Sequence, residues 1–582
     1  MRKCLAILLA MLLCLSAFPA MAEGSFVLAG YDDNTTSSGH TWETNLFFPR
    51  MEKITGVTVT TQQYSDTASW TKAKAAMLNG SQELPDALFK AALTPVETLE
   101  LYQAGKLIDL RPYLAEYAPN LSALLTAHPE WEKAISLPDG AIVALPQINE
   151  LQNNNAMWIN RSWLDKLGLS MPTNTEELTD VLRAFRDLDP NGNGSHDEIP
   201  LAFLGMWDLR FLGHAFGLVS NDYNLYLDEN GKVCTTLDTE ENRAFLTWLH
   251  QLWEEKLLDP SGFTTSDSLR AITDSKAAIT FGVLLAPTPL SLVPANALDQ
   301  YELLMPLTYD GKQIYRDLLG DVARGAFAIT SSCKDPGTLL TWVDYLYTEE
   351  GCRLAEAGLP DEDYQLNSDG TWNWITANEE VTDVILPDHT IADGGVLPGL
   401  CSVTFQETFD QKETRTIVSQ LCALKSVAVQ PMPLVVFTRT QQAQVDAIQL
   451  DLGAYAEREM IHFVTGDTFL NDATWQAFCQ TVHDKGMDEL IALWQQVIRS
   501  NAFIHHFCKR TEISHESIRK HDSQPENPEC DGTACPPFWW TRRHDGITDR
   551  APYRYAQAPR GSLQLRWQSI AHQRARPHGN RR

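Results

Sequence analysis

From Ser25 to Phe89 strand-length and helix-length segments alternate without interruption, and this alternation restricts the fold more than any other feature of the chain. SFVLAGY reads as a first strand, and a polar loop follows through His40 and Trp42. A helix through Leu46 to Ile54 stops at Gly56; VTVTTQQY, rich in β-branched residues, is a second strand. Trp70 to Leu78 reads as a second helix and LPDALF as a third strand. Such an order predicts a mostly parallel sheet with helical crossovers, an α/β lobe. At 582 residues the chain is too long for one core, so a second lobe or further domains are expected.

A second readable stretch runs from Trp158 to Leu201. Thr173 and Glu176 have capping-box spacing, and Leu178, Val181, Leu182 and Phe185 form one apolar helical stripe that ends near Leu188. The following DPNGNGSHDEIP sets oxygen donors at alternate positions: Asp189, Asn191, Asn193, the Ser195 carbonyl, then Asp197 and Glu198. Gly194 stands where such a loop turns sharply, so a hard divalent cation, Ca2+, suits the site. The twelfth position, a bidentate Glu in helix-loop-helix calcium sites, is Pro200 here, so Glu198 is expected to close the site in a structural role. A metal-free turn rich in Asn, Asp and Gly is the competing reading.

Residues 1–22 read as an export signal: Arg2 and Lys3, the apolar run Cys4 to Phe18, then Ala20-Met21-Ala22 as a small-x-small cleavage site. Leu13 precedes Cys14 where lipoprotein processing wants a small residue. The mature chain is expected to be exported, at the cell surface, periplasmic or extracellular. A net charge of -29 argues against nucleic acid as a partner. Residues 501–582 differ, with 14 Lys and Arg against 8 Asp and Glu and no helix or strand period, and are expected to lie outside the fold. The remaining cysteines show no CxxC spacing, so no disulfide framework can be read.

Chemistry-bearing motifs for hydrolysis or phosphate binding do not emerge. There is no nucleophile elbow, zinc-protease helix or phosphate loop, and His40, His196, His214 and His250 are isolated. Tryptophan is the more useful clue. Trp42, Trp158, Trp207, Trp372 and Trp374 sit beside turns or strand ends, where an indole face can stack on a sugar ring while amides and carboxylates take its hydroxyls. Trp163, Trp248 and Trp475, on helical stripes, are expected in the core.

LPDALF with YQAGKLIDL, LPDGAIVALP, WINRSWLDKLGLSMPTNTEEL, AFRDLDPNGNGSHDEIPL, FVTGDTFLNDATW and KGMDELIALWQQ occur in that order. Together they resemble the extracellular solute-binding proteins, family 1, of ABC importers, in particular the large oligosaccharide-binding branch that includes alginate-oligosaccharide-binding proteins. The resemblance spans about residues 25–499. It implies an α/β, two-lobe periplasmic-binding-protein type II fold with a cleft between lobes. It also implies a structural calcium ion at the DPNGNGxxDE loop, an oligosaccharide ligand and an ABC permease as partner, with no catalysis. By position, the expected ligand contacts are Trp42, Asn149, Trp207 and Asp208. The expected lobes are 23–146 with about 324–400, and 147–323 with about 401–499. A peptide or other polar solute as ligand, and a secreted glycoside hydrolase, are the alternatives.

Overall fold

The structure is a computed structural model that describes residues 25–33, 41–151, 155–263, 280–289, 293, 295–317, 321–376 and 380–500. The export signal, the stretch Ser268–Ala278, whose pattern predicts a helix, and the basic segment from 501 onward lie outside the described residues.

Two sheets organise the chain. The first takes β1 (Ser25–Tyr31), β2 (Thr58–Tyr64), β3 (Ala87–Phe89) and β4 (Leu145–Asn149). The second takes β5 (Ala156–Asn160), β6 (Ile199–Ala202), β9 (Phe281–Ala286) and β10 (Tyr301–Leu304). β7 (Leu225–Leu227) and β8 (Val233–Thr235) make a separate hairpin, and β11 (Tyr315–Arg316) pairs with β16 (Ala428–Val429). The chain returns to the first sheet through β12 (Val322–Ile329) and β15 (Gly399–Cys401), giving the orders β15-β4-β12-β3-β1-β2 and β10-β5-β9-β6. A small hairpin of β13 (Tyr364–Leu366) and β14 (Trp372–Trp374) completes the strands.

The alternation read from sequence is present. β1 and β2 pair in parallel from Ser25 opposite Thr58 to Tyr31 opposite Tyr64, and β1 also pairs in parallel with β3. Between them run α1 (Phe47–Thr55) and α2 (Thr67–Asn79). Gly56 ends α1 at φ 72° and its N–H bonds the Glu52 carbonyl at 2.7 Å, a left-handed cap that a β-carbon would strain. β5 and β9 are buried on both faces, so AMWI and FGVLLA read as continuous apolar runs instead of alternating ones.

Each sheet is packed on both sides. Leu28, Leu145, Ile148 and Phe327 face one core of the first sheet, while Ala29, Leu88 and Ala328 face the other. In the second sheet Met157, Ile159, Leu201 and Val283 point into one cluster, Trp158, Ala202 and Leu284 into its opposite. Helices α3 (Arg161–Leu167), α4 (Thr175–Asp187) and α5 (Glu240–Glu254) cover the second sheet. Two later helices, α6 (Arg439–Thr465) and α7 (Asp472–His483), join the same core.

Leu178, Val181, Leu182 and Phe185 are all buried, as their spacing requires. The cap differs by one residue: Asn174 accepts from the Glu177 N–H at 3.0 Å, and the Glu177 carboxylate accepts from the Thr173 N–H and hydroxyl at 2.8 and 2.9 Å. Asn is the stronger N-cap of the two, and the frame it sets keeps the stripe buried. The stretch Pro336–Glu349, whose apolar spacing predicts one amphipathic helix, is instead broken at Thr348, which caps a new helix Glu349–Ala357. The 372–429 stretch, whose weak periodicity predicts only links and short helices, contains the 14-residue helix Lys412–Lys425 and the edge strand β15.

Candidate ligand-binding site at the chain crossings

The register locates a cleft edge on each sheet. β15 is parallel to β4, and β12 is antiparallel to both β3 and β4, so the carboxyl ends of β1, β2, β3, β4 and β15 share one side with the amino end of β12. That is the side from which the chain leaves for the second sheet after Asn149. On the second sheet β6 and β9 are parallel and β5 antiparallel to β9, so the amino end of β5, where the chain arrives, lies with the carboxyl ends of β6 and β9. Carboxyl ends of parallel strands meeting at a crossing are where open α/β sheets bind ligands.

On the first sheet that edge carries a buried polar network. The Lys90 ammonium, 0% exposed, donates to Asp32 Oδ2 at 2.6 Å, to the Ile391 carbonyl at 2.9 Å and to the Asp393 carbonyl. Asp32 Oδ2 also accepts from the Trp42 indole at 2.8 Å. The ammonium thus pins the 391–395 loop over the ends of β1 and β3, reinforced by the Asp33 N–H on the Gly394 carbonyl at 3.0 Å. Close by, Cys401 Sγ donates to Glu356 Oε1 at 3.0 Å, and burial pushes the Glu356 carboxyl up to about 7.

Asn149 ends β4 with its N–H on the Asp321 carbonyl at 2.8 Å. Asp321 Oδ2 accepts from the Trp131 indole at 2.9 Å, and the ring of His128 stacks on that indole at 3.7 Å. Burial is the first cause holding the Asp321 carboxyl above its ordinary range.

Across the crossing, Trp207 and Asp208 lie on the short helix Gly205–Leu209 that follows β6. Asp208 is buried: its carboxylate accepts the Leu204 N–H at 2.7 Å and the Asn155 side-chain amide, and burial raises its pKa to about 7. Asn155 immediately precedes β5, so this contact ties the arriving chain to the helix. The guanidiniums of Arg210 and Arg316 lie 5.0 and 4.9 Å from the Trp207 ring centroid. His214, packed between the rings of Phe211 and Tyr315, is held neutral at a pKa of about 3 by burial and then by the positive charge of Arg316 and Arg210.

The acidic loop is elsewhere. It precedes the amino end of β6, the side of the sheet away from the crossing. Asp189 takes a left-handed φ of 46°; its Oδ1 accepts the N–H groups of Gly192 and Asn193, and its Oδ2 that of Gly194, at 3.0 to 3.1 Å. Asn191 and Asn193 donate to Asp197 Oδ1, both at 3.0 Å, and Asn193 Oδ1 accepts the Ser195 N–H at 2.7 Å. Both Glu198 carboxylate oxygens are buried without a hydrogen bond of good geometry, the Asn191 backbone N–H lying nearby, and burial, with Asp189 and Asp197 close, raises the Glu198 pKa. Among the described residues no three His, Cys, Asp or Glu side chains converge in a metal-ligating group.

Sequence position therefore brought Asn149, Trp207 and Asp208 to the crossing. Trp42 departs from its expected role: at 3% exposure, with its edge against Phe48 and Phe89 and its N–H on Asp32, it is a core ring. Trp158 and Trp372 are likewise core rings, the latter stacked on Phe405 at 4.6 Å, whereas Trp163, Trp248 and Trp475 are buried as expected. A turn next to a Trp in sequence says nothing about which side of the sheet end the ring falls. Lys90, Trp131, Asp321 and Arg316 went unread. A lysine closing the apolar run ALF is the one signal that could have pointed to Lys90.

The chain matches the bacterial extracellular solute-binding proteins over residues 36–351. It is 28% identical over 477 residues to the fructooligosaccharide ABC transporter substrate-binding protein FusA of Streptococcus pneumoniae, covering 78% of this chain and 86% of that one. Lipoprotein LipO of Bacillus subtilis is 23% identical over 466 residues, 77% of this chain and 85% of the other. FusA in complex with kestose superposes with a TM-score of 0.61 at 23% identity over 84% of this chain and all of that one, and an EF-hand mutant of FusA bound to fructo-nystose superposes equally, at 24%. A solute-binding protein from Bifidobacterium longum subsp. infantis gives 0.65 at 19% identity over 83% and 99%.

Proposed function

Since the chain belongs to the bacterial extracellular solute-binding protein family, we propose that it captures an oligosaccharide between two lobes and delivers it to the permease of an ABC importer. The lobes of this reading are built on the two sheets, with the crossings after Asn149, before Asp321 and after Cys401 as hinges. Ligand contacts drawn from both lobes stabilise the closed arrangement relative to the open one, and a permease can read that difference. The observation that carries the reading is the convergence of Asn149, Asp321, Trp207 and Asp208 on the crossing edges of the two sheets, in a chain colinear over most of its length with a fructooligosaccharide-binding relative. Asn149 and Trp207 are retained as ligand-facing positions; Asp208, buried with its two carboxylate oxygens on the Leu204 N–H and the Asn155 amide, supports the site from behind, as Trp42 does through Asp32.

Calcium belongs to the same proposal. The poorly satisfied, buried oxygens of Glu198 beside Asp189, Asn191, Asn193, the Ser195 carbonyl and Asp197 are a donor set suited to a hard cation. A bound Ca2+ supplies charge neutralisation that ties the end of α4 to the start of β6. An EF-hand is also present in a relative of the same fold.

Thermal unfolding of the full chain against kestose, nystose, maltotriose and short peptides tests the function. A sugar-dependent rise in midpoint with the sugar recovered intact is expected. Consumption of the sugar would make the protein an enzyme, and a response to peptides alone would move the ligand class.

A further inference from the structure

The β4–β12 pairing sets Ile148 opposite Val322 and Gln147 opposite Ala323, and one step further it sets Asn149 opposite Asp321. The Asn149 N–H on the Asp321 carbonyl confirms that last pair. Residues directly opposite in an antiparallel pair project from the same face, their β-carbons about 5 Å apart. Both side chains are buried, at 3% and 8% exposure, and both are half satisfied. Asn149 Oδ1 accepts the Leu151 N–H at 3.1 Å, which fixes the amide with Nδ2 pointing away, and Nδ2 has no partner. Asp321 Oδ2 is taken by the Trp131 indole, and Oδ1 has no partner. The strand end thus holds, side by side, one spare donor and one spare acceptor that do not satisfy each other.

Buried polar groups are paired almost without exception, so a donor and an acceptor left over at a cleft edge call for an occupant. A hydroxyl is the group that accepts from an N–H and donates to a carboxylate at once. We infer that Asn149 and Asp321 form a subsite at the junction of the lobes for a hydroxyl, or two adjacent hydroxyls, of a neutral sugar, and that the Asp321 carboxylate disfavours acidic sugars there. This rests on the oligosaccharide reading and adds to it a ligand class and two named contacts. Trp131 is a positioning residue: its indole orients the carboxylate without reaching the ligand.

The test is calorimetric binding of kestose, maltotriose and trigalacturonate to the full chain and to Asp321→Asn and Asn149→Asp, each checked for an unchanged melting profile without sugar. The unmodified protein is expected to bind at least one neutral trisaccharide more tightly than trigalacturonate. Each variant is expected to weaken that binding by about 10–100-fold, the usual effect of losing a hydrogen bond involving a charged group or leaving a buried one unmade. Folded variants that bind within about two-fold of the parent overturn the subsite, since loss of such a bond costs more than that. Where a variant fails to fold, the unmodified protein decides: preference for trigalacturonate over both neutral sugars overturns the inference. Absence of binding to every sugar, neutral or acidic, overturns the oligosaccharide reading itself.

Discussion

Replacement of Lys90 by Met removes the cation from a fully buried polar cluster while keeping the volume of the side chain. The ammonium is fully buried and holds Asp32 at 2.6 Å together with the carbonyls of Ile391 and Asp393. Its loss leaves a buried carboxylate supported by the Trp42 indole, and two carbonyls stripped of a donor. Removing one partner of a buried ion pair costs about 3–5 kcal/mol. That is a large part of the 5–15 kcal/mol that holds a typical domain together. For a lobe of this size the midpoint should fall by about 6–20 °C, at 2–4 °C per kcal/mol. The assay is thermal and urea unfolding of Lys90→Met, Asp32→Asn and the double variant. Because Asn carries no charge to strand, the double variant should recover about 1–3 kcal/mol relative to the sum of the singles. A fall below about 1 kcal/mol for Lys90→Met, or coupling below about 0.5 kcal/mol, would refute the pin.

Three further outcomes are expected. Chelation should lower the midpoint of the parent and leave Glu198→Ala unchanged, with calcium at a hundred times its dissociation constant contributing about 2.7 kcal/mol; equal responses of the two proteins to chelator would remove the loop as the site. Asp208 titrates near 7 in the fold against 3.8 when unperturbed, a difference of about 4 kcal/mol. A carboxyl raised in this direction favours the folded state below the unfolded value and loses that advantage as pH rises to about 7. Asp208→Asn should therefore flatten the pH dependence of stability between about pH 4 and 7, and an unchanged slope would assign it elsewhere, Glu356 being the other carboxyl raised to about 7. A β-carbon on Gly282 would lie 2.4 Å from the Phe185 ring and 2.7 Å from the Pro200 carbonyl, so Gly282→Ala should cost about 1–3 kcal/mol in urea unfolding; a neutral result would mean that β9 and α4 shift apart freely.

Local physics made much of the fold legible. The β-branched and apolar runs at 25–31 and 58–64, with Gly56 and Gly80 ending the helices that precede and follow the second of them, could hardly form anything but parallel strands with crossovers. The stripe Leu178 to Phe185 declared its buried face, and alternate oxygens in 189–198 declared a loop chemistry, because spacing along a chain is all that those features need. The crossings were different. Whether Asn149 faces Asp321 depends on β12 returning from far along the chain to lie antiparallel beside β4, and whether Lys90 meets Asp32 depends on β1 and β3 being neighbours. The same limit misdirected the tryptophans: Trp42 and Trp207 both follow a strand by several residues, yet one closes over its own sheet and the other stands at the crossing between two guanidiniums. Side-chain periodicity and turn chemistry are properties of consecutive residues and survive in the sequence; the pairing of distant strands, and with it the choice of which polar groups share one buried edge, is settled only when the sheets assemble.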